Sequence, residues 1–372
     1  MTLIPNQSNV QRCTVALTTL FVLALPAAAA GSWESARPGR PLHFPADHAS
    51  HPAFKTEWWY YTGHLQTESG RRYGYELTFF RQGTEPALKP QNPWQAKHVY
   101  LTHLALTDVD GKTFRYAERT NRPGLGIAGA ATDRFHTWND DWVAEELGGT
   151  QHLTANDKDF ALDLLLDSVK PPVLHGDAGY SRKGTCDSCA SHYYSLTRLK
   201  TRGYLRVGDQ TERVTGLSWM DHEFGSGQLE AGQQGWDWFS LQLSDGSDLM
   251  LYRLRRQDGA VVLQSAGTFV TPDGKTRHLT RDQVTIVPKG TWRSAASGAV
   301  YPMGWTITVP TEGLQVTLAP ATLDQELRTA RSTGVTYWEG AVSATGRRQG
   351  QPVTAQGYVE MTGYAKTDRP KF

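Results

Sequence analysis

The sequence predicts an all-β protein in which two similar antiparallel β-barrel units follow one another, with few and short helices. Apolar and polar residues alternate with period two from residue 57 onward, which is the pattern of half-buried strands. The 36 Gly and 19 Pro among 372 residues favour turns over helices. The aromatic run at 57–66 recurs in thinner form at 236–243, and a Gly turn and a returning strand follow each run. This repeat predicts an aromatic-lined β cavity.

The N-terminal residues 1–30 have the composition of a secretory signal peptide. An apolar segment over 14–30 follows a single arginine and ends in four alanines. Its shortness favours cleavage near Ala30 over a membrane anchor, and no other stretch has the ~20 apolar residues that span a bilayer. We therefore expect a periplasmic or secreted mature chain without a membrane span. Residues 31–56 are expected to form an extended lead-in.

The first β unit is predicted at 57–225. Its strands have the short, regular spacing of an up-and-down barrel, with polar turns between them. The predicted strands are 57–67, 72–82, 98–108, 112–120, 132–138, 141–147, 150–156 and 159–167. Residues 170–191, which are rich in Pro and Gly, are predicted to be a loop. The stretch 192–227 is expected to cross between the units, with strands at 192–200, 203–208 and 212–219 and an irregular end at 220–227.

The second β unit is predicted at 226–372, and helical signals are poor throughout it. The predicted strands are 235–244, 247–256, 260–271, 276–279, 283–288, 303–309, 314–319, 334–345 and 351–364. Residues 323–330 are the best candidate for a short helix.

Composition and charge restrict the partners. The formal net charge is +1 and the chain has no basic block, so nucleic acid is not an expected partner. After cleavage two cysteines remain, Cys186 and Cys189, and in an oxidising compartment a disulfide between them is the favoured interpretation. A redox-active pair, or a metal site that includes His192, is the alternative. We predict no metal, no cofactor and a monomer.

Alternation divides the first aromatic run into two faces. Trp58, Tyr60 and His64 share one face, whereas Glu57, Trp59 and Tyr61 share the other. Because both faces are aromatic, we expect this strand to lie between a barrel interior and a second covering layer. The rings then either pack as core or line a cavity for an apolar ligand. The candidate ligand-binding residues are Glu57, Trp58, Trp59, Tyr60, Tyr61, His64, His103, Trp236, Trp238, Tyr337 and Glu339.

Several of these candidates also have a purely structural interpretation. Glu57 is expected to be a partnered charge, and His103 a buried histidine with its hydrogen bonds satisfied. Tyr337 and Glu339 share a strand face, where cross-strand hydrogen bonding is the preferred interpretation.

Four residues are the candidate catalytic residues: Asp221, His222, Glu223 and Asp237. The first three form the densest titratable cluster of the chain and suggest an acid–base pair, a salt-bridged structural crossover or, more weakly, a metal site. Asp237 lies in line with apolar side chains, where burial would make it a proton donor. Asp237 either is such a proton donor, or lies at the end of the strand and contacts water or an arginine.

Six motifs together resemble one known family. They are Glu57–His64, Tyr100–Asp108, His175–Gly184, Tyr193–Arg198, Ser218–Gly225 and Tyr337–Ala341. The chain resembles, from about residue 40 to 364, the AttH-like, lipocalin-like secreted family, which also takes in the carotenoid 1,2-hydratases (hydroxyneurosporene synthases). Its members are often labelled predicted secreted hydrolases.

The resemblance implies tandem lipocalin-like antiparallel β-barrels that bind a hydrophobic small molecule, such as an isoprenoid or a lipid. The hydratase branch adds water to a terminal C=C bond of a carotenoid. Carried over, Asp221 would donate the proton and His222 would orient it, while Trp236, Trp238 and Tyr60 would face the cation. A pure binder, a hydratase and a hydrolase of unknown substrate are the three functions that a cavity would leave open. A structural or assembly protein, which would have no cavity, is the fourth hypothesis.

Overall fold

The computed structural model describes residues 1–2, 33–84, 96–227 and 229–365. Apart from Met1 and Thr2, the predicted signal peptide lies outside these residues. Strands make up 60% of the structure and helix 3%, so the predicted all-β class is confirmed. The described part has short 3₁₀ helices at Ala46–His48, Arg281–Gln283 and Pro310–Glu312. None of its helices is long and apolar enough to cross a membrane.

The first sheet is formed by strands β1–β13. They are β1 (Thr56–Thr67), β2 (Arg72–Gly83), β3 (His98–Asp108), β4 (Thr113–Asn121), β5 (Ala128–Ala130), β6 (His136–Asn139), β7 (Trp142–Leu147), β8 (Thr150–Asn156), β9 (Phe160–Ser168), β10 (Val173–Leu174), β11 (Tyr180–Arg182), β12 (Ala190–Val207) and β13 (Gln210–Gly225). Their order is β4-β3-β2-β1-β13-β12-β9-β8-β7-β6-β5, and β10 and β11 also pair with β12.

The second sheet is formed by most of the remaining strands. They are β14 (Gln233–Leu243), β15 (Asp248–Arg256), β16 (Ala266–Val270), β17 (Thr276–Thr280), β18 (Thr285–Pro288), β19 (Thr291–Arg293), β20 (Val300–Pro302), β21 (Trp305–Val309), β22 (Leu314–Pro320), β23 (Glu326–Arg328), β24 (Thr336–Arg348) and β25 (Gln351–Met361). The order is β17-β16-β15-β14-β25-β24-β22-β21-β18, with β23 on β24, and β19 pairs with β20 separately.

Each sheet curls until its edges approach each other. In the first unit, the Asn139 amide on β6 donates to the Tyr100 carbonyl at 3.3 Å and to Thr102 Oγ1 at 3.0 Å, both on β3. In the second unit, the edge strands β17 and β18 are joined by the single 3₁₀ turn Arg281–Gln283. Each unit thus encloses its own apolar core, as lipocalin-like barrels do.

The two faces of β1 serve different cores, as the alternation predicts. Trp59 and Tyr61 point into the core of the first unit. Tyr60 belongs to a separate aromatic cluster that also contains Trp219 and Trp238 and lies between the two units. β1 is therefore covered on both sides, and the space between the units is lined by rings from each.

Two predicted elements are wrong. Residues 220–225 are not irregular, because they form the end of β13, which hydrogen-bonds to β1 on one side and β12 on the other. Residues 323–330 form no helix; Glu326–Arg328 is a strand beside β24, since tertiary pairing overrides a weak local preference. The predicted loop 170–191 carries the two short strands β10 and β11.

A buried ion cluster holds the units together. Asp248, at the start of β15, is 0% exposed. Its carboxylate accepts hydrogen bonds from Lys170 Nζ at 2.6 Å and from Arg198 Nη2 at 2.7 Å, both in the first unit. In return, the Gln242 amide of the second unit donates to the Ser218 carbonyl at 2.9 Å. The interface is thus specified by paired polar groups.

Candidate functional site

A cavity of about 90 Å³ lies between the two units. Aromatic rings dominate its wall, and carboxyl groups enter from both sides. The lining residues are Trp58, Tyr60, Thr78, Phe80, His103, Lys183, Tyr193, Asp221, Glu223, Leu229, Trp236, Trp238, Tyr252, Leu254, Thr333, Val335, Tyr337, Glu360 and Thr362.

Strand register explains which side chains meet there. On β13, Asp221 and Glu223 point to the cavity because they are two residues apart. Tyr60 is directly opposite Asp221 on β1. From the second unit, Trp238 on β14 is directly opposite Glu360 on β25. The central strands of both sheets therefore contribute residues to the cavity.

Asp221 is the most strongly hydrogen-bonded acid of the cavity. Its Oδ2 accepts from Tyr193 Oη at 2.5 Å, and its Oδ1 accepts from Trp219 Nε1 at 2.6 Å and from the Ser195 hydroxyl. Burial raises the pKa of Asp221 to about 7, although these hydrogen bonds oppose the rise. Near neutral pH this group can therefore either give or take a proton.

Tyr193 links Asp221 to the second unit. Its hydroxyl accepts a hydrogen bond from Trp238 Nε1 at 3.0 Å. Burial and the nearby acids raise the pKa of Tyr193 well above its ordinary value, so the hydroxyl keeps its proton and remains a donor. These hydrogen bonds fix the orientation of the Asp221 carboxyl group, which general acid catalysis requires.

Glu360 is the carboxyl group that the second unit contributes. Its Oε2 accepts a hydrogen bond from Trp236 Nε1 at 2.7 Å. Burial raises the pKa of Glu360 to about 7, and the charges of Asp221 and Glu223 add to the rise, whereas the Trp236 bond opposes it. Two carboxyl groups that titrate near pH 7 thus border one cavity.

Glu223 is paired with a cation. Lys183 Nζ lies 3.1 Å from Glu223 Oε1 and 4.3 Å from the centre of the Tyr252 ring. Burial alone would lower the pKa of Lys183, but the charge and hydrogen bond of Glu223, together with nearby Tyr252 and Asp221, outweigh burial, and the pKa is raised. This ion pair supplies charge to one wall of the cavity without a free carboxylate.

Tyr60 leads from the cavity to a second, deeper pair of acids. Its hydroxyl donates to Glu339 Oε1 at 2.6 Å. Burial raises the pKa of Glu339 well above its ordinary value and that of nearby Glu76 to about 8, so burial favours the protonated form of both. His103 and Tyr337 lie at the same end of the cavity, with His103 Nδ1 2.7 Å from Tyr337 Oη. Burial lowers the pKa of His103 to about 3, which leaves it neutral.

His222 does not reach Asp221. It points to the opposite face of β13, where Nε2 lies 2.9 Å from Glu57 Oε1 and Nδ1 lies 3.0 Å from Tyr194 Oη. The expectation that His222 orients Asp221 is therefore wrong, since neighbouring residues on a strand face opposite ways.

Glu57 is the centre of a buried ion network rather than part of the cavity. The ligand atoms of His51, Glu57 and His222 lie within 4.8 Å of one another, which is close enough to consider a cation. However, Arg81 Nε donates to Glu57 Oε2 at 2.9 Å, and His51 is held between Glu57 and Asp47 at 2.9 Å from each. The protein's own cations already balance these carboxylates.

Asp237 also lies away from the cavity. Its carboxylate is 0% exposed and accepts from Arg253 Nη2 at 2.6 Å, Arg255 Nε at 3.0 Å and Tyr364 Oη at 2.9 Å. The structure therefore pairs Asp237 with arginines, which is one of the two interpretations of the sequence.

The aromatic residues that were predicted to bind a ligand fall into two groups. Trp58, Trp236 and Trp238 line the cavity, whereas Trp59 and Tyr61 belong to the core of the first unit.

Two further predicted features lie outside the cavity. His64 Nε2 is 2.9 Å from the Gly357 carbonyl, a contact between the two units. Cys186 and Cys189 are joined by a disulfide in the loop that follows Lys183.

Sequence reasoning missed Glu360, Lys183, Tyr193 and Tyr252. Glu360 had a usable signal, because it shares a strand face with Tyr358 in the same way as Glu339 does with Tyr337. Lys183 had none, since nothing in a Gly-rich loop shows which side chain turns inward.

Comparisons with known proteins agree on one family and fold. Residues 35–364 match the AttH-like family. The AttH structure from Nitrosomonas europaea has a TM-score of 0.82 and 34% identity, over 90% of this chain and 100% of that one. Kievitone hydratase from Nectria haematococca has a TM-score of 0.69 and 16% identity, over 90% of this chain and 97% of that one.

A curated relative matches part of the chain. The dehydratase asqC from Emericella nidulans is 22% identical over 218 residues, which are 57% of this chain. The match covers 61% of the length of that dehydratase, which is less than two thirds.

Proposed function

This chain belongs to the AttH-like family, and we propose that its cavity binds an apolar, isoprenoid- or lipid-like molecule and adds water to it or removes water from it. One observation carries the proposal. Two buried carboxyl groups, Asp221 and Glu360, border a single aromatic cavity, and the pKa of each is raised to about 7. Perturbed acids in a cleft mark candidate catalytic groups.

Hydration and dehydration are one reaction in opposite directions and need an acid and a base. In elimination, Asp221 gives its proton to the substrate hydroxyl, the C–O bond breaks and water leaves. Glu360 takes a proton from the neighbouring carbon, and the C–H electron pair becomes the new C=C bond. Hydration runs the same steps backwards. A hydratase and a dehydratase among the similar proteins support this reaction class.

The aromatic wall suits such a reaction. Breaking a C–O bond, or protonating an alkene, places positive charge on carbon. The rings of Trp58, Trp238 and Tyr60 line the cavity, and a ring face attracts a cation through its quadrupole. An apolar chain would also gain from leaving water, at about 25 cal/mol per Å² of buried surface.

The structure favours this proposal over the two alternatives. A pure binder would need the rings but not two acids that titrate near pH 7. A serine hydrolase would need a histidine between the serine and the acid. Here Ser195 lies between His175 and Asp221, and its hydroxyl donates to Asp221. Ser195 is not a lining residue of the cavity.

We propose export for the same protein. The apolar segment 14–30 supports it, and so does the Cys186–Cys189 disulfide, because such bonds persist in oxidising compartments.

The function is tested by product mass. The full chain is incubated with acyclic isoprenoid alkenes and tertiary alcohols, and products are examined by mass spectrometry for the gain or loss of one water. Asp221→Asn and Glu360→Gln are expected to lower kcat by about 10²–10⁴-fold, because each removes an acid–base group. Both should still retain the ligand, since the rings remain.

Asp133 is an exposed carboxylate that does not line the cavity, so Asp133→Asn is the matched control and should be fully active. Water transfer that survives in both cavity variants would overturn the assignment. Ligand retention without any water transfer by the native chain would leave a binding protein.

A further inference from the structure

A chain of hydrogen bonds leads from Asp221 away from the cavity. The Ser195 hydroxyl donates to Asp221 Oδ1. On its other side, Ser195 Oγ lies 2.6 Å from His175 Nε2, and His175 Nδ1 lies 2.9 Å from Thr268 Oγ1. Ser195, His175 and Thr268 are 0%, 1% and 2% exposed. A continuous path of exchangeable protons thus starts at the acid and runs through the interface.

The fold holds each member of this path. Ser195 is directly opposite Asp221 in the pairing of β12 with β13. His175 directly follows β10, which pairs with β12, and its ring packs 4.3 Å from the ring of Tyr193. Thr268 comes from β16 of the second unit. The path therefore exists only when both units are docked.

The donors in this path all point toward Asp221. The Ser195 hydroxyl proton is used on Asp221, so Ser195 Oγ accepts from His175 Nε2–H. Burial lowers the pKa of His175 well below its ordinary value, so the ring is neutral and Nδ1 carries no proton. Nδ1 then accepts from the Thr268 hydroxyl. Three donors in series are aligned to move a proton inward.

The outer end of the path lies on a strand that is paired with a more exposed one. Thr268 is directly opposite His278 in the pairing of β16 with β17. His278 is exposed, and its charge is felt by His175.

The proposed reaction creates a need for such a path. After elimination, Asp221 has lost a proton and Glu360 has gained one, and the cavity is occupied by product. We infer that Thr268, His175 and Ser195 form a proton relay that restores the acid form of Asp221 from the outer face of the second unit. This inference rests on the proposed function, in which Asp221 is the acid.

The transfers balance. The Ser195 hydroxyl proton passes to Asp221 Oδ1, the His175 Nε2 proton passes to Ser195 Oγ, and the Thr268 hydroxyl proton passes to His175 Nδ1. Thr268 regains a proton from outside water. One proton enters and the Asp221 carboxylate becomes a carboxylic acid, without any redox change. After the product leaves, Glu360 gives the proton that it took from the substrate to water in the cavity, so the reaction cycle has no net uptake of protons.

The test follows Asp221 directly by time-resolved infrared spectroscopy after a rapid drop in pH. The carboxylic C=O band of Asp221 is identified as the band lost in Asp221→Asn. His175→Gln keeps a side-chain amide that can donate and accept but cannot pass a proton on. We expect reprotonation of Asp221 to slow by about tenfold or more in this variant, while the unfolding temperature changes little.

A second pair of variants guards against misfolding of the first. Thr268→Val removes the outer hydroxyl and should slow reprotonation in the same way, whereas Thr268→Ser should restore the native rate. Thr317→Val, on an exposed face of β22, is the unrelated control. In His175→Gly, added imidazole should speed reprotonation again. A purely structural role for His175 predicts lower stability with an unchanged reprotonation rate, and that result would overturn the relay.

This measurement needs no turnover, so it separates the two proposals. If the native chain transfers no water but His175→Gln still slows reprotonation, the proposed function fails and the relay stands. If water transfer depends on Asp221 but all relay variants reprotonate at the native rate, the relay fails alone.

Discussion

At the scale of single residues, this protein keeps carboxyl groups where water scarcely reaches. Glu76 and Glu339 are 1% and 0% exposed, and each has one carboxyl oxygen without a hydrogen-bond partner among the described residues. Burial makes the charged form costly, so the pKa of Glu76 rises to about 8 and that of Glu339 rises well above its ordinary value. The stability of the fold must therefore depend on pH.

The sign follows from the direction of these shifts. The folded chain keeps the Glu76 proton that the unfolded chain releases above pH 4.5, so the free energy of unfolding falls as the pH rises from 4.5 through about 8. The raised pKa values of Asp221 and Glu360 also make the free energy of unfolding fall as the pH rises. Glu76→Gln should therefore reduce the loss of Tm between about pH 5 and about pH 9 in calorimetry, since each pKa unit is worth about 1.4 kcal/mol.

The exposed Asp163→Asn is the control and should keep the native pH slope. A slope that Glu76→Gln leaves unchanged would show that Glu76 is already ionised in the folded protein.

Single residues were also the scale at which sequence reasoning was least complete. Asp221 stands out because three ionisable residues in a row are unusual beside Trp and Gly. Lys183 does not stand out, because a lone charge in a loop is most often solvated, and Glu360 is marked only by the tyrosine that shares its strand face. Only the approach of β25 and of the 183–189 loop to β13 makes them part of one cavity.

At the scale of elements, the approach of the two sheets depends on a residue without a side chain. Gly74 on β2 faces the second unit, and a Cβ at this position would lie 2.6 Å from Ala341 Cβ and 2.6 Å from Tyr358 Oη. Only glycine allows β2 and β24 to pack at this distance. Glu76 and Thr78 share this face of β2, so the same contact sets the depth of the cavity.

Gly74→Ala is expected to lower the free energy of unfolding by about 1–3 kcal/mol through overpacking, measured by urea denaturation. It should also weaken ligand retention, because the sheets must separate. Ala341→Gly in the same chain removes one of the two clashing atoms and should recover part of the loss. A Gly74→Ala chain as stable as the native one would mean that the sheets slide apart without cost.

Element boundaries were predicted well where alternation is regular. The first strands, predicted at 57–67 and 72–82, are Thr56–Thr67 and Arg72–Gly83. Prediction failed at 220–225, where charged residues and a glycine hide the pattern. There the hydrogen bonds of β1 and β12 on either side impose the strand, which no local sequence signal reports.

At the scale of the whole molecule, the two units act as one because charged groups are buried between them. Lys170 and Arg198 of the first unit share Asp248 of the second, which also accepts from Thr197 Oγ1 at 2.9 Å. Such a group favours one relative position of the units, since any shift would leave a buried charge without its partner.

Asp248→Asn should therefore lower the free energy of unfolding by about 3–5 kcal/mol, because it leaves two poorly solvated cations facing a neutral group. Asp167→Asn breaks an exposed pair with Arg202 and should cost less than about 1 kcal/mol. Urea denaturation followed by tryptophan fluorescence compares the two. Equal losses would show that docking does not depend on the Asp248 cluster.

The sequence by itself determined the β class, the internal repeat, the alternation that gives β1 two buried faces and the family. These properties are local or periodic, so they can be read along the chain. Only the tertiary structure decided that the cavity lies between the units, that Asp221 meets Glu360 there, and that His222 and Asp237 belong to ion networks elsewhere. These outcomes depend on which strands of one sheet face which strands of the other, and residues more than 100 positions apart carry no mark of that contact in a single sequence.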